Sequence, residues 1–287
     1  VRAPIAVVPL FPLGTEGSPR PESIANWEAF DGSLIAIGLR SESSTQLLGS
    51  GVIVGPGLAV TATHIFSDNL DELNSGSLSP FAIGVRGHAA DIWQITSINL
   101  DPADDTAYVS ITLISPIPKG WEFRAVPLTT RCPQEGEVLA VIGFRFPEEL
   151  VRSAQEPHES ALGALYISRG PVSEVFPTRR DEHLLNYPSF QIECGVLPSM
   201  SGGAILDASG HLIGIVSRGL STTDGETLTF GSWLAPTMGR QLTLPWPPGM
   251  YPTEFDLATA DFPGVWIEGR EMFQRDTEGN LQIQIWP

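Results

Sequence analysis

Helical periodicity is almost absent from this chain, and no other feature constrains its fold more. Short apolar runs recur instead, roughly 8–12 residues apart and separated by Gly, Pro, Asp and Asn, as many short strands joined by turns would be. They cover Gly32–Leu39, Phe81–Val85, Ile92–Ile98, Ala107–Ile114, Val138–Ile142, Ala164–Ile167, Phe190–Val196, Ile205–Leu206, Leu212–Val216 and Leu228–Leu234. Leu47–Val60 reads as strand–turn–strand, with Gly55-Pro56-Gly57 as the turn. The chain holds 29 glycines and 25 prolines in 287 residues, well above the usual share of about 12%. One short helix is expected over Pro236–Leu242. The pattern predicts an all-β barrel or sandwich, and the length admits one large β domain or two small lobes.

Charge excludes some functions. The formal net charge is −17, which repels phosphate backbones and acidic membrane surfaces, so nucleic-acid binding is not expected. No apolar run reaches the ~18 residues of a membrane helix. The first residues lack the basic region and cleavage site of a signal peptide, and a chain starting at Val1 reads as processed or trimmed; a bacterial cytoplasmic or exported location both fit. Two cysteines, Cys132 and Cys194, are too few for a disulfide scaffold or a zinc cluster. One bridge and two free thiols both remain open. His88, His158, His183 and His211 show no metal-ligand spacing, and no metal or cofactor is expected; His211, in a hairpin, is expected at the surface.

Three segments carry possible chemistry. In Ser199-Met200-Ser201-Gly202-Gly203, a serine precedes two glycines between an alternating strand and an apolar one. Glycines leave room beside the hydroxyl, and such a turn can aim backbone N–H groups at one point. Val60-Thr61-Ala62-Thr63-His64 ends an apolar strand in a histidine, and Asp105 opens the alternating run Thr106–Ile111. Each segment alone has an ordinary reading as a turn or surface residue. Together they hold the parts of nucleophilic catalysis: a serine, a base for its proton and a carboxylate to orient the base. Their chain order is His, Asp, Ser, which is that of the double-barrel serine proteases.

On these residues the sequence resembles the chymotrypsin/trypsin-like serine proteases, nearer their bacterial and HtrA-like members. Thr61-Ala62-Thr63-His64 is similar to the family's Thr-Ala-Ala-His, and Asp105-Thr106-Ala107-Tyr108 to Asp-Ile-Ala-Leu. Ser199–Gly203 is similar to Gly-Asp-Ser-Gly-Gly, and Gly214-Ile215-Val216-Ser217-Arg218-Gly219 to Gly-Ile-Val-Ser-Trp-Gly. The resemblance spans roughly 30–243. It implies two six-stranded antiparallel β-barrels at about right angles with the active site between them. Residues 1–29 would be an N-terminal extension, 30–120 the barrel of His64 and Asp105, 121–243 the barrel of Ser201, and 244–287 a tail.

The resemblance further implies a serine endopeptidase acting through an acyl-enzyme. Ser201 would be the nucleophile, His64 the acid/base and Asp105 the orienting carboxylate, with Asp101 and Asp104 as rivals for that last role. The N–H groups of Ser199 and Ser201 would form the oxyanion hole. Ser217-Arg218-Gly219 would pair with an extended protein or peptide substrate, and Gly195 would floor the specificity pocket. No acid stands at Gly195, so the implied pocket takes apolar or small side chains rather than Lys or Arg.

Three departures bear on activity: Ser199 stands where the family has glycine, Met200 where it has aspartate, and Arg218 where it has tryptophan. Met200 cannot pair with a newly cut N-terminal amine, so activation by insertion of Val1 is not expected. A catalytically silent module that binds peptides or a partner is the alternative reading. An α/β-hydrolase esterase is disfavoured, because only His211 follows Ser201 and parallel βα alternation is missing. In the tail, Gly269–Pro287 reads as a hairpin, and Trp246, Trp266 and Trp286 are expected to anchor it by burial. The tail could also make a regulatory or partner contact.

Overall fold

A computed structural model describes residues 7–8, 13–24, 30, 32–86, 89–101, 103–116, 123–146, 163–221, 227–243, 251–252, 254–259, 261–278 and 281–284. Strands β1 (Leu34–Arg40), β2 (Thr45–Gly55), β3 (Leu58–Ala62), β4 (Ser79–Arg86), β5 (Ala89–Leu100) and β6 (Thr106–Leu113) close into one barrel in the order β1-β2-β3-β6-β5-β4. All its pairings are antiparallel. The β2–β3 turn is the one expected: Gly57 has φ +71°, a conformation that favours glycine.

The second barrel is built from β7 (Val138–Arg145), β8 (Ala164–Phe176), β9 (Ser189–Ile192), β10 (Ala204–Leu206), β11 (Leu212–Ser221) and β12 (Thr227–Trp233). Its order is β10-β7-β8-β9-β12-β11, closed by the β10–β11 pairing. The all-β fold expected from the turn-rich sequence is therefore observed, as is the double β-barrel implied by the resemblance. Strands are fully apolar where both faces are covered, as in β1, whose Leu34–Leu39 are all buried. Ile35, Ile37, Val52, Val60, Phe66 and Ile111 fill the first barrel, and Leu139, Val141, Phe190, Ile192, Ile213 and Trp233 the second. Each such side chain contributes about 1.5–3 kcal/mol by leaving water.

Some expectations shift. The run Phe190–Val196 leaves the sheet after Ile192: Glu193 N–H still reaches Pro171 O of β8 (3.0 Å), but Cys194 N–H turns back onto Ile192 O (2.9 Å). This bend turns the chain toward Ser201. The helix expected over Pro236–Leu242 is a 3-10 turn over Ala235–Gly239. Cys132 and Cys194 are free thiols. A surface loop is expected from the sequence over Phe146–Leu162; Phe146 is buried, and residues 147–162 lie outside the described residues, as do His88, His158, Trp246 and Trp286. No helix among the described residues is long and apolar enough to cross a membrane.

The tail does contain the hairpin: β13 (Phe273–Arg275) pairs with β14 (Leu281–Ile283). Trp266 does not anchor it, however, being 38% exposed. Its carbonyl accepts from Leu128 N–H (2.8 Å), while its neighbour Val265 is the buried side chain and packs over Gly55. The packing comes from Tyr251, Phe255 and Phe262, whose rings meet at centroid distances of 4.7–5.2 Å. His211 is also half-buried rather than exposed, because Glu268 of the tail packs beside it. His211 Nδ1 lies 3.7 Å from both Asp207 Oδ1 and Glu268 Oε2. Asp207 and Glu268 raise its pKa against the opposing effect of burial. Burial works against ionised Asp207 too, but bonds from His211 and Arg131 hold its pKa down at about 2.

Candidate active site

Strand β3 ends at Ala62 and runs directly into helix α1 (His64–Ser67), which sets His64 at the rim of the first barrel. Asp105 immediately precedes β6, which pairs with β3. Its carbonyl accepts from Thr63 N–H (3.0 Å), and its carboxylate accepts from His64 N–H (3.0 Å). The same carboxylate stands 2.9 and 3.0 Å from His64 Nδ1. An ionised carboxylate only accepts, so Nδ1 carries the proton and Nε2 is left with its lone pair. Asp105 is 7% exposed, while the imidazole is 38% exposed and open to a substrate.

The rival carboxylates are engaged elsewhere. Asp104 pairs with Arg240 and accepts from Thr106 N–H (2.6 Å); Asp101 lies 3.5 Å from Arg240. Burial outweighs Arg240 and raises the Asp104 pKa. Both acids, with Arg240, line a cavity of about 530 Å³ against Phe273, Leu281 and Ile283 of the tail. Ser201 does not line that cavity.

A polar chain behind Asp105 was not legible in the sequence. Ser217 Oγ donates to Asp105 Oδ2 (2.6 Å), so it must accept from the Tyr187 hydroxyl at 2.5 Å. Burial, and then the negative charge of Asp105, push the Tyr187 pKa up and keep it a donor. Tyr187 sits in the loop before β9, where nothing in its neighbourhood marks it.

Ser201 is held by backbone. Its carbonyl accepts from Ser50 N–H (2.7 Å) in β2, and Gly202 N–H donates to Val216 O (2.7 Å), the residue before Ser217. Gly202 has φ +76°, and its Cα faces Thr61 Oγ1, Ser50 O and Ala62 N so closely that a Cβ has no room. Ser201 is thereby lodged against the strand that leads to His64. No hydrogen bond joins His64 to Ser201 in this structure; such bonds are often long before substrate binds.

The oxyanion candidates are unengaged: neither Ser199 N–H nor Ser201 N–H has a partner among the described residues. Ser199 is the sole non-glycine residue with positive φ (+74°) among them. Its carbonyl accepts from Ser50 Oγ (3.0 Å), whose oxygen in turn accepts from Phe144 N–H (2.8 Å). Ser50 thus fixes the peptide that follows Ser199 in a conformation costly for an L residue. Ser199→Gly is expected to raise stability by up to about 1 kcal/mol with kcat/KM retained, the strain relieved being partly offset by glycine's chain entropy. Denaturant titration checks it, and a less stable variant would contradict the strain. Met200 is fully buried, its sulfur 3.2 Å from Leu197 N–H.

Beside Ser201 lies a cavity of about 250 Å³, with Val196, Val216, Gly219, Thr227 and Leu228 in its wall. Gly219 was expected there. Gly195, Ser217 and Arg218 do not line it. A Cβ on Gly195 would meet Thr227 Oγ1 at 2.8 Å and Pro21 Cδ at 3.3 Å, so its α-carbon faces away from open space. Beyond Val216, β11 pairs on one side with β12, and its other edge is unpaired among the described strands.

The trypsin-like peptidase domain model matches residues 49–215, more than half of the chain. No curated protein matches by sequence. Among solved structures, the MamO protease domain from Magnetospirillum magneticum is similar at 15% identity and a TM-score of 0.50, over 72% of this chain and 94% of that one. HtrA-type protease AlgW with tripeptide gives 20% identity and 0.49, over 72% of this chain and 59% of that one, so this chain spans less than two thirds of AlgW. The active form of Rv3671c protease from M. tuberculosis gives 16% and 0.49, over 83% and 92%. With two closed barrels and the domain match reaching into both, the chain belongs to the trypsin-like peptidase family.

Proposed function

We propose that the chain is an endopeptidase that cuts peptide bonds through a His64–Asp105–Ser201 triad and needs no N-terminal insertion. The observation that carries this is the threefold engagement of the Asp105 carboxylate, by His64 Nδ1, His64 N–H and Ser217 Oγ, with Tyr187 behind Ser217. It holds the imidazole with Nε2 free to act as a base. Nε2 takes the Ser201 proton as Oγ attacks the substrate carbonyl, and the resulting oxyanion is stabilised by the N–H groups of Ser199 and Ser201. Imidazolium then protonates the leaving amine, and water repeats the sequence on the acyl-enzyme to release the acid and restore Ser201.

The unpaired edge of β11 at Ser217-Arg218-Gly219 suits an extended peptide as an added strand. The aliphatic side chains of Val196, Leu197, Val216 and Leu228 in the wall of the 250 Å³ cavity, with no charged side chain lining it among the described residues, favour a small or medium apolar side chain before the cut. The silent peptide-binding module has one observation in its favour, the missing His64–Ser201 hydrogen bond. A peptide library digested and read by mass spectrometry separates the readings. Cuts after aliphatic residues, abolished in Ser201→Ala, are expected; equal absence of cuts in both proteins would favour the silent module, and a strong Arg or Lys preference would overturn the pocket assignment.

A further inference from the structure

Met200 leaves the segment that forms the specificity pocket without an ion pair to lock it, yet Gly195, at its start, is clamped on both sides. Gly195 N–H donates to Pro19 O (2.8 Å), and Gly195 O accepts from Ser168 Oγ (2.7 Å). Pro19 belongs to a stretch ahead of the first barrel that crosses the second one. Leu13 N–H bonds Ala208 O (3.0 Å), Ser18 O accepts from Arg169 N–H (2.7 Å), and Ile24 N–H bonds Leu165 O (2.8 Å). Glu22–Ser23 pairs with Ile167–Tyr166 of β8, the strand that also supplies Ser168. The Pro21 ring packs against Gly195.

We propose that residues 13–24 are an uncleaved activation strap that holds the pocket ready for substrate. Gly195 is buried, and without Pro19 its N–H would be left unsatisfied, which drives that segment to open. Pro19 and Pro21 suit the role: each fixes its own φ and carries no N–H, so the strap is pre-extended and presents carbonyls. Val196, which follows Gly195, is the pocket wall, so an error at Gly195 is passed directly to the site that holds the substrate side chain. The strap's outer residues, Gly14–Gly17, are exposed. A partner that peels the strap away therefore lowers activity, the reverse of activation by cutting. The effect on catalysis rests on the protease reading; the clamp on Gly195 does not.

The test compares the full chain with one starting at Ser23, by hydrogen exchange of the peptide covering 193–199 and by peptide hydrolysis. In the shortened chain, exchange in 193–199 is expected to rise about tenfold or more. kcat/KM should fall about tenfold or more, mainly through KM, while fluorophosphonate labelling of Ser201 changes less than about threefold. A synthetic peptide of residues 13–22, added at saturation, should restore both. Unchanged exchange in a folded shortened chain, or a higher kcat/KM, would overturn the strap. If the shortened chain does not fold, the full-length Pro19→Gly/Pro21→Gly variant takes its place, with the same readouts and smaller changes in the same direction. If the full chain neither labels nor cleaves, the protease reading fails, and exchange in 193–199 still decides the strap.

Discussion

Asp105→Asn is expected to lower kcat by about 10⁴-fold while the protein stays folded. The asparagine amide fits the same space, but its NH₂ donates where the carboxylate accepts. His64 Nδ1, 2.9 Å away, would then present its lone pair to that amide and keep its proton on Nε2, the nitrogen that must take the Ser201 proton. The amide nitrogen would also replace Oδ2, to which Ser217 Oγ now donates at 2.6 Å, so Ser217 would lose that acceptor. Asp104→Asn is the control. That side chain pairs with Arg240 rather than with His64, so the substitution should cost stability and leave kcat within about threefold. Steady-state kinetics on both variants checks the assignment; comparable losses in the two would show that charge near the cleft matters and that orientation by Asp105 does not. Tyr187→Phe should fall between them, because Ser217 keeps its bond to Asp105 and loses only its own donor.

Gly202→Ala is the second large effect. At φ +76° an L residue pays about 1–2 kcal/mol. The new methyl would also press on Thr61 Oγ1 and Ser50 O, with Ala62 N at 2.9 Å. These atoms belong to the two strands that hold Ser201 and lead to His64, so neither side can yield without moving the nucleophile. The bonds Ser50 N–H to Ser201 O and Gly202 N–H to Val216 O, both 2.7 Å, must lengthen. A displacement near 1 Å costs about 10²-fold, so kcat/KM should fall by about that factor, and Tm by about 5 °C. Full activity in this variant would mean that Ser201 is not held by the contacts described above.

How far the sequence discloses this protein depends on the range of each interaction. The strands were legible because alternation and Gly/Pro turns are local signals, and β2–β3 closes at Gly57 as its Gly-Pro-Gly run demands. His64, Asp105 and Ser201 were legible because each stands at a strand end with small residues beside it. Asp105 stands two residues before Ala107, as in the family's Asp-Ile-Ala-Leu, and it is Asp105 that bonds His64 while Asp104 pairs with Arg240.

Ser50, Tyr187 and the strap at Pro19 were not legible. Ser50 meets Ser199 across 149 residues of chain, and Pro19 meets Gly195 through a backbone carbonyl that no residue type announces. Trp266 and His211 depart from their expected exposure for a related reason. Whether a large apolar or a polar side chain is covered depends on which way a short tail strand faces, and two-residue strands such as Ile267–Glu268 carry no alternation to read.

The central claim is that Ser201 is a nucleophile activated by His64, and its reaction with a fluorophosphonate tests this most directly. The full chain should be labelled stoichiometrically on Ser201 by mass spectrometry. Ser201→Ala should remain unlabelled, and His64→Ala should react slower by about 10³-fold or more. Absence of label in the folded full chain, or equal labelling of the Ser201→Ala variant, would contradict the account.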